Sequence, residues 1–221
     1  CEEMGITVDR DRFTELAKEQ RARAKADHLA KAGSSWADNS IKIEAPATNF
    51  TGYTDFEADN STVIAIYKDG TEIESAAEGE DVVVVLDTTP FYAESGGQVG
   101  DTGVISNDSF IFEVTATAKT NDGVFLHYGR IISGESLSVG DEAKASVNAE
   151  RRAAIARNHT AAHLLQAALR KNLGSHVEQA GQLVNENAGR FDFSHFTALT
   201  AEEIKKVEDD VNDFILGANE I

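Results

Sequence analysis

The sequence has a single cysteine, at position 1, which excludes a disulfide framework and fits a reducing compartment. No apolar run approaches the ~20 residues needed to cross a bilayer. No basic-then-apolar opening marks a secretory signal. Positive charge is scarce: 20 Lys and Arg stand against 38 Asp and Glu, a formal net charge of -18. Taken alone, that argues against a broad nucleic-acid surface, because phosphate affinity comes mainly from Lys and Arg. Internal repeats and low-complexity segments are absent. So are the zinc-protease pattern HExxH and the GK[ST] ending of a Walker loop.

What is present suits a folded protein. Hydrophobic residues make up 41% of 221 residues, enough for one large domain or two modest ones. The charge is uneven. Acidic residues crowd Asp55 to Asp87, whereas between Arg151 and Lys206 basic residues slightly outnumber acidic ones: Arg151, Arg152, Arg157, Arg170, Lys171, Arg190, Lys205 and Lys206. A local polyanion contact is open there, beside the plain reading of a solvated acidic surface.

The opening, from about Asp9 to Lys31, reads as a charged amphipathic helix. Phe13, Leu16 and Ala17 fall at helical spacing and Gly33 stops it. A start without methionine suggests a cut inside a longer protein. From Ser34 the texture changes to short strands and Gly/Asn/Asp turns. Strands flank Asp69-Gly70, a buried-type strand covers Val82 to Leu86, and a hairpin turns at Asn121-Asp122-Gly123. This pattern predicts a small antiparallel β-barrel. After Asn148 an alanine-rich helix runs to Gly174, followed by two strands and a helix opened by the capping box of Thr200 and Glu203. The expected class is α+β, with boundaries at 1–34, 35–147 and 148–221.

Two stretches carry chemistry. His159 and His163 stand four residues apart in the alanine-rich helix, so their Cβ atoms would lie about 5–6 Å apart. Two such imidazoles can share a metal ion, yet by spacing alone ordinary packing is the commoner outcome. A tetrahedral zinc site needs about four ligands, or three and water. His176 and His195 are the other nearby imidazoles, with no pairing pattern of their own. The second stretch, "TPFYAESGGQVGDTG" from Thr89 to Gly103, contains tandem Gly96-Gly97 followed by Gln98. Tandem glycine allows positive φ and close backbone approach. A strand connector and a loop lying against a phosphate, a ribose or the histidine pocket both remain open.

Together these segments resemble the alanyl-tRNA synthetases. "LDTTPFYAESGGQVGDTG" is similar to that family's glycine-rich segment, and "RNHTAAHLLQAALRKNLGSHVEQAGQLV" with "RFDFSHF" is similar to the start of its editing core. "MGITVDRDRFTELAKEQRARAKA" resembles the end of the helical tRNA-recognition region. The resemblance implies that 1–34 closes that region, 35–147 is the barrel, and 148–221 opens an α/β editing core truncated on its C-terminal side.

The resemblance further implies Zn²⁺ bound by His159 and His163, completed in the family by a later CxxxH that lies beyond Ile221; Cys1 does not match the ligand cysteine. Gln179 matches a pocket glutamine and is the implied catalytic residue. Gly96, Gly97 and Gln98 would close over the terminal adenosine, and Arg157 or Arg190 could contact phosphate. ATP and Mg²⁺ belong to a catalytic domain outside this chain. The implied partners are the tRNA acceptor end and its alanine, serine and glycine esters, in the cytoplasm, with no membrane or DNA partner. The isolated segment would be inactive or weak. A free-standing trans-editing deacylase and a non-catalytic acceptor-end binding module are the alternatives. Two departures stand out: the family's His-Ser-Ala-Thr-His reads His159-Thr160-Ala161-Ala162-His163, and its QKGS reads Gln179-Ala180-Gly181-Gln182.

Overall fold

The computed structural model describes residues 12, 14–16, 18–19 and 43–218. The chain divides into two compact units, Cys1–Ile43 and Glu44–Ile221. In the first, residues 12, 14–16 and 18–19 are helical, with Arg12 bonded to Glu15 one turn on at 2.6 Å. The rest of the helix expected there, including Phe13 and Ala17, lies outside the described residues.

The second unit is built on a closed antiparallel barrel. Its strands are β2 (Glu57–Lys68), β5 (Asp81–Leu86), β7 (Gly103–Ser106), β8 (Phe110–Lys119), β9 (Phe125–Gly134) and β11 (Glu142–Val147). They run in the order β11-β7-β8-β9-β5-β2, and β11 pairs back onto β2 to close the cylinder. Closure removes the free edges that would otherwise present unpaired N–H and C=O groups. A short strand β3 (Thr71–Ile73) folds back on β2 through Asp69 (φ 49°) and Gly70 (φ 80°), the left-handed pair that a tight hairpin turn needs. Small pairings β1 (Asn49–Phe50) with β6 (Thr88–Thr89), and β4 (Ser75–Ala77) with β10 (Ser136–Ser138), trim the ends.

The barrel core follows the period-2 rule. Along β8, Phe110, Phe112 and Val114 are buried while Ile111 and Glu113 face out. They meet Val63, Ile66, Val82, Val84, Leu86, Phe91, Ile105 and Ile131 in one apolar cluster. Polar side chains are buried among these strands too: Ser61, Thr117 and, largest of them, His127. His127 is fully buried; its Nδ1–H donates to the Val84 carbonyl (2.9 Å), and its Nε2 accepts from the Thr89 hydroxyl (2.8 Å).

The chain leaves the barrel into helix α1 (Ala149–Leu173), capped by Asn148, whose side chain accepts from the Arg151 N–H at 3.0 Å. Gly174, at φ 116°, ends it. Strands β12 (Gln179–Val184) and β13 (Gly189–Phe193) form an antiparallel pair. Helix α2 (Ala201–Leu216) begins with the expected capping box: Thr200 Oγ1 accepts from Glu203 N–H (3.2 Å) and Glu203 Oε2 accepts from Thr200 N–H (2.8 Å). Ala168 and Leu169 of α1, Val177 and Val207 of α2 form the core of this part, with Phe191 and Phe193 packed against it. The class is therefore α+β, as the sequence implied. Among the described residues no helix is long and apolar enough to cross a membrane.

Candidate functional site

The glycine-rich stretch does not hang free. Ser95 and Gln98 exchange both backbone hydrogen bonds (3.1 and 2.9 Å) around Gly96 (φ 59°) and Gly97 (φ 82°). This is a two-residue turn with both central residues left-handed, a geometry that glycine adopts without strain. The turn docks on β12: Val184 N–H donates to Gly97 O (2.7 Å), Val99 N–H donates to Val184 O (3.1 Å), and the Gln182 carboxamide donates to Gly96 O (2.6 Å). Gly97 sits so close that an added Cβ would lie 2.6 Å from Gln182 Cγ and nearer still to its carbonyl oxygen.

A second attachment ties the same stretch to the start of α1. Asp101, two residues beyond Val99 and 1% exposed at its side chain, receives the Arg152 guanidinium. Nε lies 2.8 Å from each carboxylate oxygen, and one terminal nitrogen also bonds Oδ2. The other guanidinium donors go to Gly52 O (2.8 Å) and Pro90 O (2.9 Å). Asp101 also accepts from Tyr92 N–H at 2.7 Å. Arg151 reaches Gly100 O at 2.9 Å, and an Arg151 terminal nitrogen lies 3.2 Å from Glu186 Oε2. That ion pair is too poorly aligned to count as a hydrogen bond, since this oxygen remains without a hydrogen-bond partner. Between the two attachments, Ile155 and Ala162 of α1 pack with Val184 and Val99.

This docking brings the loop to the histidines. His159 Nδ1–H donates to the Gln98 carboxamide oxygen at 2.6 Å, across 61 residues of chain. Gln98 is only 8% exposed. The His159 and His163 rings lie parallel, 5.0 Å between centroids and 7° between planes. His159 is half-buried and His163 is exposed, so the pair stands at the rim of the buried stripe of α1 rather than inside it. Partial burial, and then repulsion from His163, hold the His159 imidazole below its ordinary range. Both effects favour the neutral form that metal ligation needs.

Gly96, Gly97, Gln98, His159 and His163 thus come together; the remaining expected residues are placed elsewhere. Gln179 is exposed at the opposite end of β12 from Val184, which puts their backbones roughly 16 Å apart at ~3.3 Å per residue. Arg190 is exposed on β13 and already engaged by Asp192, with Nε 2.9 Å from Oδ1 and a terminal nitrogen 2.6 Å from Oδ2. Arg157 is exposed on α1. His176 and His195 bond each other at 2.9 Å and stack on one another, and His176 also stacks on Phe196.

The donor set suits zinc in kind. Two imidazoles one turn apart are suitable ligands, and the Nδ1–H of His159 is already spent on a carbonyl, as ligating histidines require. The set falls short in number: among the described residues no group of three or more His, Cys, Asp or Glu side chains could hold a metal. Further ligands would have to come from outside them.

Sequence reasoning missed Asp101 altogether, and missed the contacts that Arg151, Arg152 and Gln182 make with the glycine-rich stretch. A cation in the first turn of a helix opposes the helix dipole, so paired arginines there were a signal for a specific partner. So was a lone aspartate in a glycine-rich run.

The family model for class II (A) tRNA synthetases matches residues 1–151. The chain belongs to that family. The match covers the barrel and the first turn of α1 and stops before the histidines. The family's alanine–tRNA ligases extend the likeness across them. That of Acetivibrio thermocellus is 50% identical over 218 residues, 98% of this chain and 24% of the relative. Those of Burkholderia multivorans (46% over 216 residues, 98% and 24%) and Chloroflexus aurantiacus (45% over 216 residues, 96% and 24%) are similar. The chain spans about a quarter of the length of these curated relatives.

Proposed function

We propose that this chain is a segment of an alanine–tRNA ligase, and that the docked glycine turn and the α1 histidines form part of a site that hydrolyses wrongly acylated tRNA. The intact protein would join alanine to its tRNA with ATP and Mg²⁺ in a catalytic domain elsewhere in the polypeptide, in the cytoplasm. The observation that carries the reading is the Gln98–His159 contact. It makes the glycine turn and the imidazole pair one assembly, with bare backbone at Gly96, where an added Cβ would meet nothing within 4 Å.

The need for such a site follows from chemistry. A pocket that accepts alanine cannot strongly reject serine, because an added hydroxyl gives only ~10²-fold discrimination. A second site that hydrogen-bonds the hydroxyl can distinguish the two by ~10⁴–10⁵. His159 and His163 would hold Zn²⁺ with ligands from outside the described residues. When bound, that ion would supply Lewis-acid chemistry at the ester. Gly96 and Gly97 would admit the terminal adenosine to close backbone contact. Gln179 would meet the aminoacyl group from the other end of β12, and Arg157 and Arg190 would face the phosphates, Arg190 after exchanging Asp192. Serine and glycine esters are the expected substrates, the glycine ester without help from a hydroxyl.

The test uses the full-length enzyme. His159→Ala or Gln179→Ala should raise misacylation with serine while alanine-dependent ATP–pyrophosphate exchange stays intact. Loss of alanine activation, or unchanged serine misacylation, would contradict the assignment.

A further inference from the structure

Gln98 belongs to the stretch expected to cover the adenosine, yet its carboxamide is spent on His159. The turn fixes the Gln98 backbone through Ser95 on one side, and its continuation bonds Val184 on the other. The side chain is therefore aimed by a rigid frame and shielded from water. A carboxamide oxygen only accepts, so the imidazole nitrogen facing it at 2.6 Å must carry the proton. The neutral ring then has its lone pair on Nε2.

We propose that Gln98 is a positioning residue, which locks His159 in the Nδ1–H tautomer and leaves Nε2 as the electron-pair donor to a divalent cation. This rests on the histidine site proposed above but concerns a different link, between loop and ligand rather than between ligand and ester. It also explains why the glycine turn must dock so closely. A Cβ at Gly97 would push β12 and the turn apart and withdraw the Gln98 oxygen from His159. In a free histidine side chain the two tautomers lie close in energy, so one buried hydrogen bond of ordinary strength suffices to select between them. Partners of this kind typically change metal affinity by about 10–100-fold.

The experiment is long-range ¹H–¹⁵N NMR of the histidine rings in the metal-free 221-residue chain, at a pH where His159 is neutral. Wild type should show His159 protonated at Nδ1. Gln98→Ala should move a substantial share of the proton to Nε2, and Gln98→Glu, whose carboxylate also accepts, should restore Nδ1–H. His127, whose Nδ1–H is held by Val84, reports whether the barrel stays folded and should not change. In the full-length enzyme, Zn²⁺ affinity should fall about 10–100-fold in Gln98→Ala and recover in Gln98→Glu. A wild-type His159 protonated at Nε2, or a tautomer that Gln98→Ala leaves untouched, overturns the proposal. Failure of the editing assignment would register separately, as serine-ester hydrolysis that persists in His159→Ala.

Discussion

The Asp101–Arg152 pair is the most exacting mechanical prediction of the structure. Asp101 is 1% and Arg152 13% exposed at the side chain, so neither charge is well solvated. Arg152→Met would leave the carboxylate with the Tyr92 N–H as its remaining partner among those described above, and would strip the Gly52 and Pro90 carbonyls of their donor. Removing one member of a buried ion pair costs about 3–5 kcal/mol, a large share of the ~5–15 kcal/mol that holds a domain folded. Asp101→Asn keeps the shape and leaves the guanidinium facing an amide, so its cost should fall at the lower end of that range. The double variant removes both charges. It should be less destabilised than the sum of the singles by up to ~3 kcal/mol, the coupling expected of residues in direct contact. Urea unfolding of the 221-residue chain measures all three. Single costs under ~1 kcal/mol, or an additive cycle, would refute the view that this pair clamps the glycine-rich stretch to α1.

Other outcomes follow from single residues. Burial lowers the His127 pKa to about 4, against 6.5 in the unfolded chain. The unfolded state therefore binds the extra proton first, and stability falls as pH drops from 6.5 towards 4. The loss between pH 7 and 5 is about 2 kcal/mol by linkage. Gln in place of His127 can keep one donor and one acceptor without titrating. Its unfolding free energy should lack this component, and parallel pH profiles for the two proteins would count against it. Gly96→Ala and Gly97→Ala both pay the left-handed penalty of ~1–2 kcal/mol, but only Gly97→Ala also collides with Gln182. Thermal unfolding should rank it clearly lower, and equal melting temperatures would argue against the docked turn. Thr200→Ala should cost ~1 kcal/mol by removing the α2 cap, read by the same unfolding assay; no loss would mean that the cap is redundant.

Local features of the fold were readable in the sequence because their causes are local. Asp69-Gly70 and Asn121-Asp122-Gly123 announce turns by their own backbone preferences, and Asn148, Gly174 and Thr200 with Glu203 mark helix ends by side-chain chemistry. Pairings between distant segments left no such mark. The closure of β11 on β2, the short β7 and the small β4–β10 and β1–β6 contacts depend on partners far along the chain. The candidate site divides in the same way. The His159–His163 spacing is visible within one helical turn, but the 61-residue link to Gln98 and the 51-residue link from Asp101 to Arg152 exist only once the turn has docked. An alanine-rich helix also gives little warning of which side faces water, so the exposure of His163 beside half-buried His159 carried no local sign.

The most direct measurement is the deacylation of preformed seryl-tRNA by the full-length enzyme, wild type against His159→Ala and His163→Ala. The account predicts that wild type clears the serine ester and spares the alanine ester, and that either substitution reduces clearance to the uncatalysed rate while alanine activation is unchanged. Clearance at the wild-type rate in both variants would contradict it.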